Sequence, residues 1–139
     1  MLTAIYQSLI ILITITTHLS MAAPDCSKVK HGVFVMEDDQ MGNTIITREN
    51  DIQREENNQM GVTIELKVQW VNECSYRLIP YRILQNNSGV DLSEDLQLLV
   101  EILEVHKDYY LQRTTSLIYP EISISSRIYR YNKKKSFDK

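Results

Sequence analysis

The side chains suited to nucleophilic or metal chemistry are few and widely spaced in this sequence. Its two cysteines are Cys26 and Cys74, and beyond residue 23 its only histidines are His31 and His106. The spacing of these four residues matches none of the compact patterns that hold zinc. The chain also lacks the common serine-hydrolase, metalloprotease and phosphate-loop motifs. We therefore predict no catalytic residue, no metal site and no cofactor, in a protein that is not an enzyme.

Acidic residues are frequent, but their arrangement does not suit shared chemistry. Glu55 and Glu56 are adjacent, so on a strand their side chains point to opposite faces. The run Glu37, Asp38 and Asp39 lacks the ligand spacing of a calcium loop, and we interpret it as a solvated turn. With 15 Lys and Arg against 18 Asp and Glu, the net charge is −3. Because phosphate binding needs clustered positive charge, we predict no nucleic-acid partner.

Tyrosine is the most frequent aromatic residue, with eight copies in the chain. A tyrosine can bury its ring and keep its hydroxyl on a polar partner, which suits the wall of a binding pocket. Positions that could line such a pocket are Tyr76, Tyr81, Tyr109, Tyr110 and Tyr119. We take Tyr76, Tyr81 and Tyr109 as candidate binding residues, with ordinary core and rim positions as the alternative.

The first 23 residues differ from the rest of the chain because they contain no Lys, Arg, Asp or Glu. An apolar run over 9–15 is followed by Ser20, Met21 and Ala22, which fit the small-x-small rule of signal peptidase. The apolar stretch is shorter than the roughly 20 residues that span a bilayer. We predict a signal peptide over 1–22, and an exported protein (periplasm, outer envelope or extracellular) with no stable transmembrane span after processing. An uncleaved anchor and a buried first strand are the alternatives.

Export makes a disulfide possible between the two cysteines, because thiols pair in oxidising compartments. A bond between Cys26 and Cys74 would close a long loop, worth on the order of 4 kcal/mol in the loop-entropy estimate. We predict this bond, with two buried free thiols as the alternative.

The elements that position these residues are mainly strands. The clearest covers 62–70, where an apolar set alternates with a polar set: Val62, Ile64, Leu66, Val68 and Trp70 against Thr63, Glu65, Lys67 and Gln69. A period of two predicts that the apolar set is buried and that the polar set faces water.

Turn signals separate several further strand-like segments. We predict strands over 32–36, 44–48, 52–56, 74–84, 96–105, 109–115 and 122–131, with a break or bulge at Pro80. The segment 96–105 also has a helical pattern, but its β context favours a strand. The fold class is mainly β: an antiparallel meander forming a small barrel or sandwich. We expect one β domain over 23–131 and a basic flexible tail over 132–139.

Three groups of residues, in this order, are similar to a family of small exported proteins from Bacteroidetes: Cys26, Gly32 and Phe34; Arg48, Gln53 and Glu55; and Trp70, Cys74, Tyr76 and Leu78. The resemblance covers roughly 26–105 and implies a lineage and a compartment, but no reaction. It also implies that Arg48 and Glu55 are hairpin neighbours whose surface ion pair sets the register, with an anion site at Arg48 as the alternative. Arg48 and Gln53 therefore join the candidate binding residues.

Many members of that family carry the automatic label "DNA topoisomerase IV". A subunit of that enzyme needs an ATP site or a DNA clamp. A small acidic chain with four glycines has neither the size nor the phosphate-binding loop for this activity, so we set the label aside.

Gly32 and Phe34 also resemble the Gly-x-Trp of lipocalins, whose eight-stranded barrels hold one small ligand. We therefore expect a non-enzymatic exported protein that binds a small apolar molecule or an envelope component. The alternative is a structural or interaction protein of the cell envelope with a filled core. A cavity of several hundred Å³ would distinguish the first function from the second.

Overall fold

The computed structural model describes residues 22–132, in which eight antiparallel strands form a closed barrel in up-and-down order. A short 3₁₀ helix, Cys26–Val29, precedes the first strand. The strands are β1 (Gly32–Met36), β2 (Thr44–Glu49), β3 (Ile52–Asn57), β4 (Val62–Asn72), β5 (Ser75–Asn86), β6 (Leu98–Val105), β7 (Tyr109–Ser116) and β8 (Ser123–Arg130).

The predicted mainly β fold and antiparallel meander are confirmed, and the closed ladder makes the fold a barrel rather than a sandwich. The ambiguous segment 96–105 forms β6, so its strand interpretation is also confirmed. The predicted signal peptide and basic tail lie, except for Ala22 and Asn132, outside the described residues.

The apolar face of β4 points into the barrel, as its alternation predicts. Val62, Leu66 and Val68 are buried, whereas Ile64 and Trp70 are half-buried and pack against the core. The β-branched side chains suit this pleated, inward-facing surface. The single clear periodic segment of the sequence therefore identifies one wall of the interior correctly.

The opposite face of β4 is only partly solvated. Lys67 and Gln69 are exposed as predicted. Thr63 and Glu65, however, are only 7% and 9% exposed, so their predicted exposure is wrong. Glu65 Oε2 accepts a hydrogen bond of 2.6 Å from Arg82 Nε on β5. The long Arg82 side chain helps to shield this part of the outer wall. Cross-strand neighbours can thus bury an outward-facing residue without reversing the strand.

Strand β5 is longer than its neighbours and continues through Pro80. Pro80 pairs with Leu66, beside a register shift in the β4–β5 ladder, which confirms the predicted bulge. Only Ser75–Leu78 pairs with β6. The rest of β5 has β4 on one side and no β6 partner on the other, so it forms an overhang at one end of the barrel.

A tight turn sets the register of β2 against β3. Asn50 and Asp51 both have positive φ, 48° and 59°, as a two-residue hairpin of matching twist requires. This turn places Arg48 directly opposite Gln53. Both side chains point into the barrel. They are the first two of a series of polar residues in its interior.

At the end of the barrel where β1 begins, the 3₁₀ helix covers the interior with its buried residues Cys26 and Val29. We call this the plugged end, and the opposite end, at loop 37–43, the cavity end. The largest fully buried side chains of the core are Tyr76, Tyr110, Phe34, Ile128, Val29 and Val100. Phe34 and Tyr110 pack edge to face, with ring centroids 5.4 Å apart. The plugged end is therefore filled with protein side chains.

Candidate functional site

The 3₁₀ helix that plugs the barrel is held from two sides. The predicted disulfide between Cys26 and Cys74 is confirmed, and it joins the helix to the turn between β4 and β5. On the other side, Arg130 of β8 donates hydrogen bonds of 3.2 Å from Nη1 and Nη2 to the carbonyl oxygen of Lys28. The floor beneath the cavity is thus fixed to distant parts of the wall.

Arg48 is the central polar residue of the plugged end, and it is only 2% exposed. Its Nη1 donates to the carbonyl oxygen of Val29 at 2.5 Å. Its Nη2 lies 2.7 Å from the hydroxyl oxygen of Tyr76 and 3.2 Å from that of Tyr110. The guanidinium carbon also lies 4.7 Å from the centroid of the Tyr76 ring. Arg48 therefore ties the helix to β5 and β7 through the middle of the barrel.

These contacts keep Arg48 charged in spite of its burial. Burial opposes the charged form, but the hydroxyl groups of Tyr76 and Tyr110 and the Glu55 carboxylate outweigh it, so the pKa of Arg48 is raised. Burial also raises the pKa of Tyr76, although the charge of Arg48 acts in the opposite direction. At neutral pH the site consequently contains a guanidinium and a protonated hydroxyl.

Gln53 connects this buried charge to the cavity. Its Oε1 accepts a hydrogen bond of 2.9 Å from Arg48 Nε, and its Nε2 donates one of 2.6 Å to Glu55 Oε1. The two partners determine the orientation of the amide, because one supplies a donor and the other an acceptor. Arg48, Gln53 and Glu55 form what we call the polar chain, which runs along the inner wall from the plugged end to the cavity.

Glu55 ends the polar chain in the wall of the cavity. Its cross-strand neighbours are Ile46 on β2 and Ile64 on β4. Removal from water raises the pKa of Glu55, and the hydrogen bond from Gln53 and the charge of Arg48 offset only part of that rise. The surface ion pair expected between Arg48 and Glu55 is wrong, because Arg48 is buried and bonds to Gln53 instead.

The cavity end of the barrel contains a cavity of about 660 Å³ that opens to solvent at the rim. Its apolar lining comes from Met36, Ile46, Leu78, Leu98 and Ile124, and its polar lining includes Gln53, Glu55, Gln112, Thr114, Ser126 and Arg127. Both kinds of side chain come from several different strands. The cavity can therefore hold a molecule that has an apolar part and a polar group.

Gln112 is a second polar residue of this lining. It is 9% exposed, and its Nε2 lies 3.4 Å from Thr114 Oγ1. Its Oε1 is buried and has no hydrogen-bond partner among residues 22–132. Buried amide oxygens are normally paired, because an unpaired one costs about 1–3 kcal/mol. This oxygen is thus an unused acceptor beside the cavity.

The five candidate binding residues from the sequence fall into two groups. Arg48, Gln53 and Tyr76 meet inside the barrel, although Arg48 and Tyr76 belong to the plug rather than to the cavity wall. Tyr109 lies elsewhere, with its ring stacked on His106 at 4.5 Å. Tyr81 is 48% exposed on the β5 overhang. The two groups therefore do not form one site.

Three residues of the site are absent from that candidate set: Glu55, Tyr110 and Gln112. Strand parity provides the missing signal, since residues two apart on a strand share a face. Gln53 and Glu55 share the inner face of β3, and Tyr110 and Gln112 share that of β7. A search for inward-facing polar residues on assigned strands would have found all three.

The acidic turn Glu37, Asp38 and Asp39 lies at the rim of the cavity and is exposed, as expected for a solvated turn. Asp38 Oδ1 accepts hydrogen bonds of 2.8 Å from the backbone N–H groups of Met41 and Gln40. These bonds lower the pKa of Asp38, which therefore remains a carboxylate. Within the described range, no group of three or more His, Cys, Asp and Glu residues could hold a metal ion.

Between residues 22 and 132 there is no helix with the length and apolar character needed to cross a membrane. Comparison with known proteins finds no matching family model, no matching curated protein and no matching solved structure.

Proposed function

We propose that this protein binds one small, partly apolar molecule, such as an envelope component, in the cavity of its barrel and catalyses no reaction on it. The observation that carries the proposal is a cavity of about 660 Å³ lined by side chains from several strands. Ligand sites of proteins commonly range from about 300 to 1,000 Å³. A structural role with a completely filled interior would not need this space.

The construction of the wall supports the same function. The disulfide, the Arg48 contacts and the Arg130 contacts hold the floor in position. A rigid floor lowers the conformational entropy lost when a ligand binds. Less of the interaction free energy between ligand and protein is then needed to order the site. The proposed binding therefore needs no rearrangement of the floor.

The disulfide also supports an exported setting, because such bonds persist in oxidising compartments. We propose the periplasm, the outer envelope or the extracellular space as the site of action. Membership in the exported Bacteroidetes family that the sequence resembles is part of this proposal.

Binding of the uncharged probe N-phenyl-1-naphthylamine tests the function by fluorescence. We expect saturable binding of one probe molecule per chain. Thr114→Phe should weaken binding by roughly tenfold, because Thr114 lines the cavity and a larger side chain there occupies part of it.

Thr115→Phe is the matched control, because Thr115 lies on the opposite face of β7 and its hydroxyl is 3.1 Å from that of Ser123. This variant should bind the probe like the unmodified protein. Absence of saturable binding by the unmodified chain, or equal weakening by both variants, would show that the cavity is not the binding site.

A further inference from the structure

Most of the charged groups in the cavity lining are acidic. Among the residues between 22 and 132 that line it, four are acidic, Glu37, Asp38, Asp39 and Glu55, and one is basic, Arg127. The guanidinium of Arg127 lies 4.7 Å from the ring centroid of Tyr109, so its positive charge is already engaged with an aromatic face. The cavity is therefore a place where a positive charge on a ligand is favoured.

Glu55 is the one carboxylate of this group that lies on the barrel wall instead of in the rim loop. Among the described residues it receives one hydrogen bond, from Gln53 Nε2 to Oε1. Oε2 is left to the cavity. With Ile46 and Ile64 on either side, a donor that reaches Oε2 meets a carboxylate in apolar surroundings, where charge-assisted hydrogen bonds are strong.

The polar chain explains why the protein itself does not neutralise this carboxylate directly. Gln53 separates Glu55 from the Arg48 guanidinium, whose Nε, Nη1 and Nη2 already donate to protein oxygens. The positive charge therefore stays at the plugged end. A second positive charge can be accommodated at the cavity end without displacing any of these contacts.

Gln112 points independently to the same ligand chemistry. Its Oε1 has no partner in the described chain; the residue lines the same cavity, but this atom is covered by protein, so a ligand reaches it after the amide turns toward the cavity. A ligand that only accepts hydrogen bonds would leave this oxygen and the Glu55 carboxylate unpaired. A ligand that donates several hydrogen bonds can pair with them.

We propose that the ligand is an apolar primary amine, whose ammonium group binds Glu55 Oε2 with Gln112 as a second acceptor, and whose apolar part lies against Met36, Ile46 and Leu78. This inference rests on the proposed binding function and specifies its ligand class. An ammonium group suits the site because it has a positive charge, three donors and no acceptor.

Displacement of bound N-phenyl-1-naphthylamine at neutral pH compares three probes of equal chain length: n-octylamine, n-octanol and octanoate. We expect n-octylamine to displace the dye at a concentration roughly tenfold or more below that of n-octanol, with octanoate the weakest. Both n-octylamine and n-octanol can donate a hydrogen bond to Glu55, but only the ammonium group adds a positive charge, so the expected preference measures the effect of that charge.

Glu55→Gln removes the carboxylate charge at nearly constant shape and should abolish the preference for n-octylamine over n-octanol. Glu56→Gln is the matched control, since Glu56 is the next residue on β3, faces outward and pairs with Arg54. It removes the same charge from the outer wall, so the preference should persist. Dye binding and circular dichroism verify that both variants are folded, and Gln112→Met, expected to reduce n-octylamine affinity severalfold, provides an independent variant.

The outcomes separate the two proposals. If the dye binds but n-octylamine is no better than n-octanol, or if Glu55→Gln retains the preference, the amine inference is wrong and cavity binding stands. Loss of the preference in both Glu55→Gln and Glu56→Gln would show a general charge effect and also overturn the inference. If the dye does not bind to the unmodified chain, both proposals fail.

Discussion

The two ends of this barrel are built on the same alternation of inward and outward residues, yet they differ in how their inward polar groups are satisfied. At the plugged end, Arg48 donates to Val29, Gln53, Tyr76 and Tyr110, and side chains fill the space between them. At the cavity end, Glu55 and Gln112 have acceptor atoms with no hydrogen-bond partner among residues 22–132, beside the open cavity.

This difference shows that buried polar residues serve two purposes within one wall. A network with every member paired stabilises a unique packing, whereas a partly paired one is tolerated where an outside molecule completes it. Residue type alone does not distinguish the two, because the plugged end and the cavity end both contain a charged residue and a glutamine. The number of unpaired polar atoms distinguishes them.

The largest expected effect comes from Arg48→Met, which removes the donor for four acceptors at the plugged end. Breaking a buried charged network typically costs about 3–5 kcal/mol, and we expect the upper end of this range. The free energy of unfolding in urea measures the loss. Arg113→Met is the control, because Arg113 pairs with Glu101 on the surface and should contribute under about 1 kcal/mol. Similar losses in the two variants would contradict the central role of Arg48.

Removal of the disulfide should have the next largest effect on the plugged end. The double variant Cys26→Ala and Cys74→Ala loses a crosslink between residues 48 positions apart. The loop-entropy estimate for such a span is about 4 kcal/mol. Urea unfolding without reductant compares this variant with the unmodified chain, and addition of reductant should remove most of the difference. An unchanged unfolding midpoint would mean that the plug stays closed without the bond.

Trp70→Ala is expected to have an intermediate effect, because Trp70 borders the plug but is half-buried. Its ring lies 4.7 Å from that of Tyr76, and Lys30 Nζ lies 4.8 Å from its centroid. We expect a loss of about 2–3 kcal/mol, below the 3–5 kcal/mol of a fully buried aromatic residue. Lys67→Ala on the outer face should cost less than about 0.5 kcal/mol. Equal losses in urea unfolding would contradict the assignment of the two faces of β4.

The smallest effect, and one of opposite sign, is expected at the cavity end. Because the pKa of Glu55 is raised in the folded chain, the folded state holds this proton more tightly than the unfolded state. Stability therefore falls as the pH rises from the ordinary glutamate pKa through the raised one. Glu55→Gln should be more stable than the unmodified chain at neutral pH, and the gain should vanish below about pH 4.

Unfolding curves at several pH values measure this gain, with Glu56→Gln as the control. Glu56 is paired with Arg54 on the outer wall, so its replacement should produce no gain. A Glu55→Gln variant that is less stable than the unmodified chain at pH 7 would show that the carboxylate supports the fold. A gain would instead agree with a residue kept for binding at the expense of stability.

Most strands of this fold could be predicted from local signals in the sequence, whereas β6 is assigned from its β context. The alternation of β4, the turn residues Asn50 and Asp51 and the bulge beside Pro80 all act over a few residues. The turn even determines that Arg48 lies opposite Gln53, since a two-residue hairpin leaves a single register. The disulfide follows from the count of cysteines and the expectation of export.

The interior position of Arg48 and Glu55 was harder to predict. Charged residues are rarely fully buried, so a general expectation assigns both to the surface. Arg48 is two residues from Ile46 on β2 and therefore lies on the same, inward face. That argument can be made only after the bounds of the strand are known. The cavity is harder still, because it depends on how the volumes of side chains from several strands add up across the closed barrel. No local pattern in the sequence predicts this combined volume.

The barrel closes through its shortest ladder, and this determines the order in which the wall can assemble. β1 and β8 share three residue pairs, Phe34 with Arg130, Val35 with Tyr129 and Met36 with Ile128, whereas β4 and β5 share ten. All other strand neighbours are consecutive along the chain, so they can form hairpins at low entropic cost. The β1–β8 seam instead joins the two ends of the domain, and its contacts have the largest sequence separation. We expect the seam to form last during folding, and its amide protons to be the first of the ladder to exchange with solvent in the native protein.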